Sequence, residues 1–251
     1  IYSNGWFSSS VTVTLASTDS LAGVKMTAYR VDGAGNNSTE IVYKSFFTLG
    51  NEGAYSMHYY SVDRVGNAET EKTIIFSVDQ TSPHVGSTLN PQPNSYGWNN
   101  SSVEAVFKGT DTLSGLDICI SSRTSVEGAG KTLSGWCRDI AGNIGYSTAI
   151  VNIDISSPIV TVLASPVANS YNWNNTPVVV SFIGSDDISG NFSCTADRTA
   201  SSEGIEQILT GSCADYAGNS RSAFRAVNID LTKPVTMAVL SGAHVNSWYN
   251  T

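Results

Sequence analysis

Asp139-Ile140-Ala141-Gly142-Asn143, followed by the alternating run Ile144 to Asp154 and then Pro158, is the stretch whose reading decides the fold. It is an acidic glycine turn, then a strand, then an aspartate and a proline. The same series runs from Asp63-Arg64-Val65-Gly66-Asn67 to Asp79 and Pro83. It runs again from Asp215-Tyr216-Ala217-Gly218-Asn219 to Asp230 and Pro234. A partial fourth copy opens at Asn246-Ser247-Trp248. A repeat of roughly 75 residues implies a row of small modules, each with its own core. The expected division is 1–80, 81–155, 156–231 and a stub at 232–251, with the first module lacking its opening strand, as a piece of a longer chain would.

Composition narrows the class. Only 14% of the 251 residues are charged, strand formers abound, and no apolar period of 3.6 residues persists, so the chain reads as all-β. The net charge of −8 leaves no basic patch for nucleic acid or an anionic membrane. No apolar run reaches membrane-spanning length in this fragment. The four cysteines fall in pairs at matching repeat positions, Cys119 with Cys137 and Cys194 with Cys213, without zinc-type spacing. One disulfide in each of modules two and three follows, and with it an oxidising, extracytoplasmic setting. The first module carries no cysteine.

Module two shows the strand plan. After Pro83, His84 to Thr88 reads as edge strand A, broken by Asn90-Pro91-Gln92-Pro93-Asn94 because proline removes a ladder donor. Tyr96 and Trp98 precede strand B from Val103 to Lys108. Asp111-Thr112-Leu113-Ser114-Gly115 is a turn into strand C, Leu116 to Ser121. Less regular residues hold strands D and E; strand F is Thr132 to Cys137, and strand G is Ile144 to Asp154. The matching turns are Asp19 to Gly23 and Asp186 to Gly190, and Trp6, Trp98, Trp173 and Trp248 recur before strand B.

The runs Tyr29-Arg30-Val31-Asp32-Gly33, Glu52-Gly53 and Tyr60 to Asn67 resemble the bacterial Ig-like domains found in tandem on secreted and cell-surface proteins. The link Val78-Asp79-Gln80-Thr81-Ser82-Pro83 is similar to the D-x-T-x-P junction of large bacterial adhesins. The likeness covers nearly the whole chain and implies tandem immunoglobulin-like β-sandwiches arranged end to end. It departs at Asn191, which stands where Val24 and Leu116 sit, and in linkers that end Ser-Pro or Lys-Pro. Such modules serve as stalks, spacers and enzyme appendages, so the fold does not choose among them.

A sandwich places its loops at two ends. Asn67 to Asp79 spans about 40 Å at strand rise, a full module length, so the two turns and the final aspartate of one module lie at opposite ends. Asp79 is therefore expected to meet Asp111 and Asp139 of the next module, and Asp154 to meet Asp186 and Asp215. Three carboxylates at a joint repel unless solvent separates them or a cation holds them. Calcium, a hard ion that takes six to eight oxygens, suits such a set, with Asn143 and Asn219 as further oxygen donors. The competing expectation is ordinary turn chemistry, in which each Asp caps its own turn.

The aromatic pairs Tyr96–Trp98 and Tyr171–Trp173 are candidate glycan contacts, against a packing role at the sandwich end. Tyr59 and Tyr60 face opposite sides of strand F, so one of them is expected to be exposed. Catalysis finds no support: His58, His84 and His244 are scattered, and no hydrolase, zinc-protease or P-loop motif occurs. The N-x-[ST] sequons at Asn36, Asn37, Asn99, Asn100, Asn174 and Asn191 are acceptors only where the source glycosylates asparagine. The sequence thus points to a non-catalytic, extracellular or cell-surface array: a stalk, spacer or adhesive region. Its partners would be cell-surface glycans, host or neighbouring surface proteins, or copies of itself. The alternatives are a carbohydrate-binding accessory to an enzyme and a subunit of an extracellular filament or surface layer.

Overall fold

The computed structural model describes residues 5–242, together with the backbone of 244–245 and 248–249. Asn246 and Ser247 of the fourth opening, and the side chains of His244 and Trp248, lie outside the described residues. The described chain is all-β and consists of immunoglobulin-like sandwiches. It divides into two compact units, residues 1–155 and 156–251.

In the first unit, the strands of the first sandwich are β1 (Trp6–Phe7), β2 (Val11–Val13), β3 (Val24–Gly33), β4 (Asn36–Asn37), β5 (Ile41–Val42), β6 (Phe47–Leu49), β7 (Gly53–Asp63) and β8 (Lys72–Val78). One sheet runs β1-β8-β7-β3-β4, with β5 also on β3, and the other is β2-β6 alone. Val31, Leu49, Tyr55, Met57, Phe76 and Val78 form the core between them. Gly33 turns the β3–β4 hairpin at φ +93°, where a Cβ would overlap the Ala54 carbonyl oxygen.

The second sandwich has β9 (His84–Asn90), β10 (Val103–Thr110), β11 (Leu116–Ile120), β12 (Ser122–Thr124), β13 (Gly128–Asp139) and β14 (Ile144–Ile153). Its sheets are β12-β10-β9 and β11-β13-β14. The alternation Val103, Ala105, Phe107 turns inward, as the sequence period requires, onto Leu133, Val151 and Ile153. In the second unit the plan returns as β15 (Ile159–Ser165), β16 (Val178–Ser185), β17 (Asn191–Cys194), β18 (Arg198–Ala200), β19 (Gly204–Asp215) and β20 (Ser220–Ile229). Its core gathers Val178, Val180, Phe182, Val227 and Ile229. The backbone pairs β21 (His244–Val245) and β22 (Trp248–Tyr249) form a further short hairpin.

Three expectations need correction. Strands D and E are one short strand, β12 or β18, because Ser122–Thr124 and Arg198–Ala200 pair directly with the strand-B partner. Strand F is longer than Thr132 to Cys137, since pairing with β14 extends it from Gly128 to Asp139. Tyr59 and Tyr60 are both half-buried: Tyr59 packs on the core and the Tyr60 hydroxyl donates to Glu40 at 2.7 Å.

Both disulfides form as the spacing indicated. Cys119–Cys137 joins β11 to β13, and Cys194–Cys213 joins β17 to β19, each at directly opposed positions. Each closes a short loop, worth about 3 kcal/mol in the chain-entropy picture.

Candidate functional site

The site is built from three chain segments of the first unit. Asp79 follows β8 directly, Asp111 opens the β10–β11 turn, and Asp139 ends β13. One carboxylate oxygen from each lies within 4.8 Å of the others; Asp79 and Asp139 are buried and Asp111 is half-buried. The convergence read from the repeat is therefore present here. Asp79 Oδ2 accepts from the Ser114 amide at 3.0 Å and Oδ1 from Thr81 at 3.0 Å. The Asn143 side-chain amide donates to the Asp79 carbonyl at 2.8 Å. Ser114 is itself buried, and its hydroxyl accepts from Ala141 at 3.3 Å. The tail of the first sandwich is thus hydrogen-bonded into the crown of the second.

Turn capping is equally present. Asp111 Oδ1 accepts from Leu113 and Gly115 at 3.1 and 2.8 Å. Asp139 Oδ1 accepts from Gly142 and Asn143 at 2.6 and 2.7 Å. Asn143 differs from the sequence expectation. Its Nδ2, shared between the Asp79 carbonyl and Asp139 Oδ2 (2.8 Å), faces the carboxylates, so it brings a donor where an oxygen ligand was expected. Asn219 does the same toward Asp215 at 2.9 Å.

Magnitudes weigh the two roles. Two unit charges at this spacing repel by about 3–4 kcal/mol at an effective dielectric of about 20. Each N–H donor to a charged oxygen returns about 1.5–3 kcal/mol. The amides around the trio therefore offset repulsion of this size. No ion pair to Lys, Arg or His involves the three aspartates among the described residues. An all-oxygen, three-carboxylate set with no competing cation is chemically fit for a hard divalent ion.

The equivalent crown positions repeat the geometry locally. Asp19 Oδ1 accepts from Leu21 and Gly23, and Asp63 Oδ1 from Val65 and Asn67. In the second unit Asp186 Oδ1 accepts from Ile188, Ser189 and Gly190, and Asp215 Oδ1 from Gly218 and Asn219. Asp154 directly follows β14 in the first unit, as Asp79 follows β8. The Asp63 carboxyl is held below its ordinary value: burial raises it, but hydrogen bonds from Asn67, Val65 and Gly66 together outweigh that.

Sequence reading missed a glutamate clasp. Glu52 Oε1 accepts from the Gln80 amide and the Thr81 hydroxyl at 2.8 and 2.7 Å. Glu127 accepts from Ile155 at 2.8 Å, and Glu203 from Leu231 and the Thr232 hydroxyl at 2.7 and 2.6 Å. Each spans 28 residues to the amide just past a module's final aspartate. The signal was a Glu-Gly pair at Glu52, Glu127 and Glu203, standing at one repeat position.

The aromatic candidates sit at the opposite end of their sandwiches. Residues beside each Trp pair in parallel with the end of the last strand: Trp6 with Ser77, Asn99 with Ile153 and Asn174 with Ile229. Trp98 and Trp173 are half-buried, while Tyr96 and Tyr171 are 50% and 83% exposed. Tyr171 and Trp173 line an open cleft of about 590 Å³ with Pro166, Asn169 and Asp230.

No protein-family model matches the chain, and no curated protein does. Among solved structures it is similar to one titled for host cell surface retention of a bacterial ice-binding adhesin, with 14% identity, 91% of this chain and 95% of that one covered, and TM-score 0.37. It is similar to fibronectin(III)-like modules of Clostridium thermocellum CbhA, at 12% identity, 59% and 88% coverage, and TM-score 0.30. It is also similar to the D00-D0 domain of intimin, at 13% identity, 79% and 94% coverage, and TM-score 0.26.

Proposed function

We propose that this chain is a non-catalytic tandem array that acts as a stalk, spacer or adhesive region of an extracellular or cell-surface protein. The observation that carries it is the Asp79 joint. A carboxylate at the end of one sandwich is buried under the amides of the next, which is a way to hold modules in register rather than to turn over a substrate. The modules would be 1–80, 81–155 and 156–231, with 232–251 opening another. Two disulfides agree with an oxidising compartment.

Calcium is the cation this reading assigns to Asp79, Asp111 and Asp139, and by repeat to Asp154, Asp186 and Asp215. With a dissociation constant of about 0.1–1 mM and millimolar calcium, each site adds about 0.4–1.4 kcal/mol, enough to stiffen a joint but not to fold a module.

Small-angle scattering and thermal unfolding test both parts. The expected result is that wild type in calcium fits one conformation, that chelator requires a broader ensemble and lowers the midpoint, that Asp111→Asn weakens the calcium response, and that Asp111→Asn together with Asp186→Asn abolishes it. Scattering and midpoint indifferent to the ion reject the cation. If Asp79→Ala leaves the scattering unchanged as well, the joint carries no mechanical role. Saturable polysaccharide binding lost in Trp173→Ala would replace the array by a glycan-binding accessory.

A further inference from the structure

Glycine and cysteine positions reveal which face of the β11-β13-β14 sheet is turned away from the core. Gly135 and Cys137 of β13 are buried, and a Cβ on Gly135 would overlap the Phe107 ring. Gly145 of β14 points inward as well, onto Pro83 and Val85. Side chains one position along stand on the opposite face of the sheet. There Ile118, Arg138 and Ile144 form one cross-strand row, and Ile120, Trp136 and Tyr146 form the next.

Tyr146 is 74% exposed, Ile118, Ile120 and Ile144 are 42%, 40% and 38% exposed, and Trp136 is half-buried. Directly opposed side chains on neighbouring strands lie about 4.5–5.5 Å apart at Cβ, so these five make one continuous apolar surface. A surface of this kind marks an interaction site. It lies on the flank of a sandwich whose first strand, β9, is in place along β10.

The third sandwich repeats the sheet without the patch. Counting from Cys194 and Cys213, Ser193 and Thr195 stand for Ile118 and Ile120, and Ser212 stands for Trp136. Ser220 and Ser222 stand for Ile144 and Tyr146. In the first sandwich the same sheet face carries Arg30, Asp32 and His58, ion-paired among themselves and with Glu71. The fold thus accepts hydroxyl or charged side chains at this face. Packing within the sheet does not call for five large apolar ones.

We propose that this face of the second sandwich packs on the same face of a second copy across a two-fold axis. Its composition is that of a protein interface: Trp, Tyr and Arg at the centre and few charges. Three isoleucines offer nothing to the hydroxyls of a saccharide. Arg138 donates to Asp117 at 3.0 and 2.6 Å, and both are half-exposed. They are the charged residues of these rows, so the face is neutral on a chain of net charge −8. Two like-charged copies meet there with least repulsion. A two-fold axis sets the Arg138–Asp117 pair against its own reversed image, positive toward negative. With Ile150, Ser134, Thr148 and that pair at the rim, the face presents on the order of 800 Å², the share one partner brings to a standard interface. Two such sheets stack about 10 Å apart, as the sheets of a sandwich do. The contact depends on neither the cation nor the joint.

Sedimentation velocity of the 251-residue chain over a micromolar to millimolar series tests the proposal. The weight-average mass is expected to rise and level off at twice the monomer's, because a two-fold contact is used up in the dimer. Ile120→Thr, Trp136→Ser and Tyr146→Ser together install the residues of the third sandwich. That triple variant keeps the β-sheet circular dichroism and associates at least tenfold more weakly. Tyr146→Asp alone, at an exposed position, weakens association as much and decides the matter if the triple variant does not fold. Association that survives Tyr146→Asp overturns the proposal, and so does a mass that climbs past the dimer. A chain that stays monomeric throughout also overturns it. Binding of a soluble polysaccharide by that monomer, lost in the triple variant, would assign the face to a glycan instead.

Discussion

Asp63 shows how much one turn residue does. It accepts from two backbone amides at 2.9 and 2.8 Å and from the Asn67 side chain at 2.8 Å, and these bonds favour its charged form. Its folded-state pKa is lowered. Its contribution is therefore complete above the unfolded aspartate value, about 3.9, and is lost as pH falls through the lower folded value. Asp63→Asn should lower the urea midpoint at neutral pH, and the two midpoints should converge as acid protonates the wild-type carboxylate. A gap that persists unchanged into strong acid would mean the residue acts through packing. At this scale the chemistry was legible: D-x-x-G-N needs an acceptor at its first position and glycine at its fourth, where φ is +96°, +102° and +97° in the three copies. The orientation of Asn143 was not legible, because it depends on the Asp79 carbonyl, 64 residues away.

Elements reveal what alternation alone leaves open. Period two placed Val103, Ala105 and Phe107 inside, and matching positions placed both cysteine pairs opposite each other. It could not say that one strand would stand for D and E, since three residues carry too little period to be read. Nor could it reveal why glycine stands at 145. A Cβ there would overlap the Pro83 carbonyl oxygen, where the first strand of the second sandwich begins. Gly145→Ala should cost about 1–3 kcal/mol, the ordinary price of overpacking, seen as a lower denaturant midpoint, whereas Gly66→Ala meets open space and strains only its turn. If Gly145→Ala unfolds like wild type, β9 yields freely and the tight approach carries no weight.

At the scale of the molecule, the described residues form three separate buried clusters rather than one continuous core. Each is closed by its own strands, and in the second and third by its own disulfide. A chain of residues 156–231 expressed alone should keep its β-sheet circular dichroism and unfold cooperatively. Reducing its disulfide should then cost about 3 kcal/mol. A fragment that stays unfolded with the disulfide formed would refute the modular division. The glutamate clasp belongs to this scale too, because Glu52, Glu127 and Glu203 reach across 28 residues to hold the chain as it leaves each sandwich.

Sequence alone determined the repeat, the all-β class, the acidic turns and the cysteine partners. Each of these is written in spacing along the chain, where turn geometry, strand period and covalent reach act over short range. Tertiary structure decided the rest. Asp79, Asp111 and Asp139 share one space, and Asn143 turns a donor toward them. Those outcomes follow from which distant backbone groups find partners, and a buried carboxylate exists only once the strands around it have taken their place.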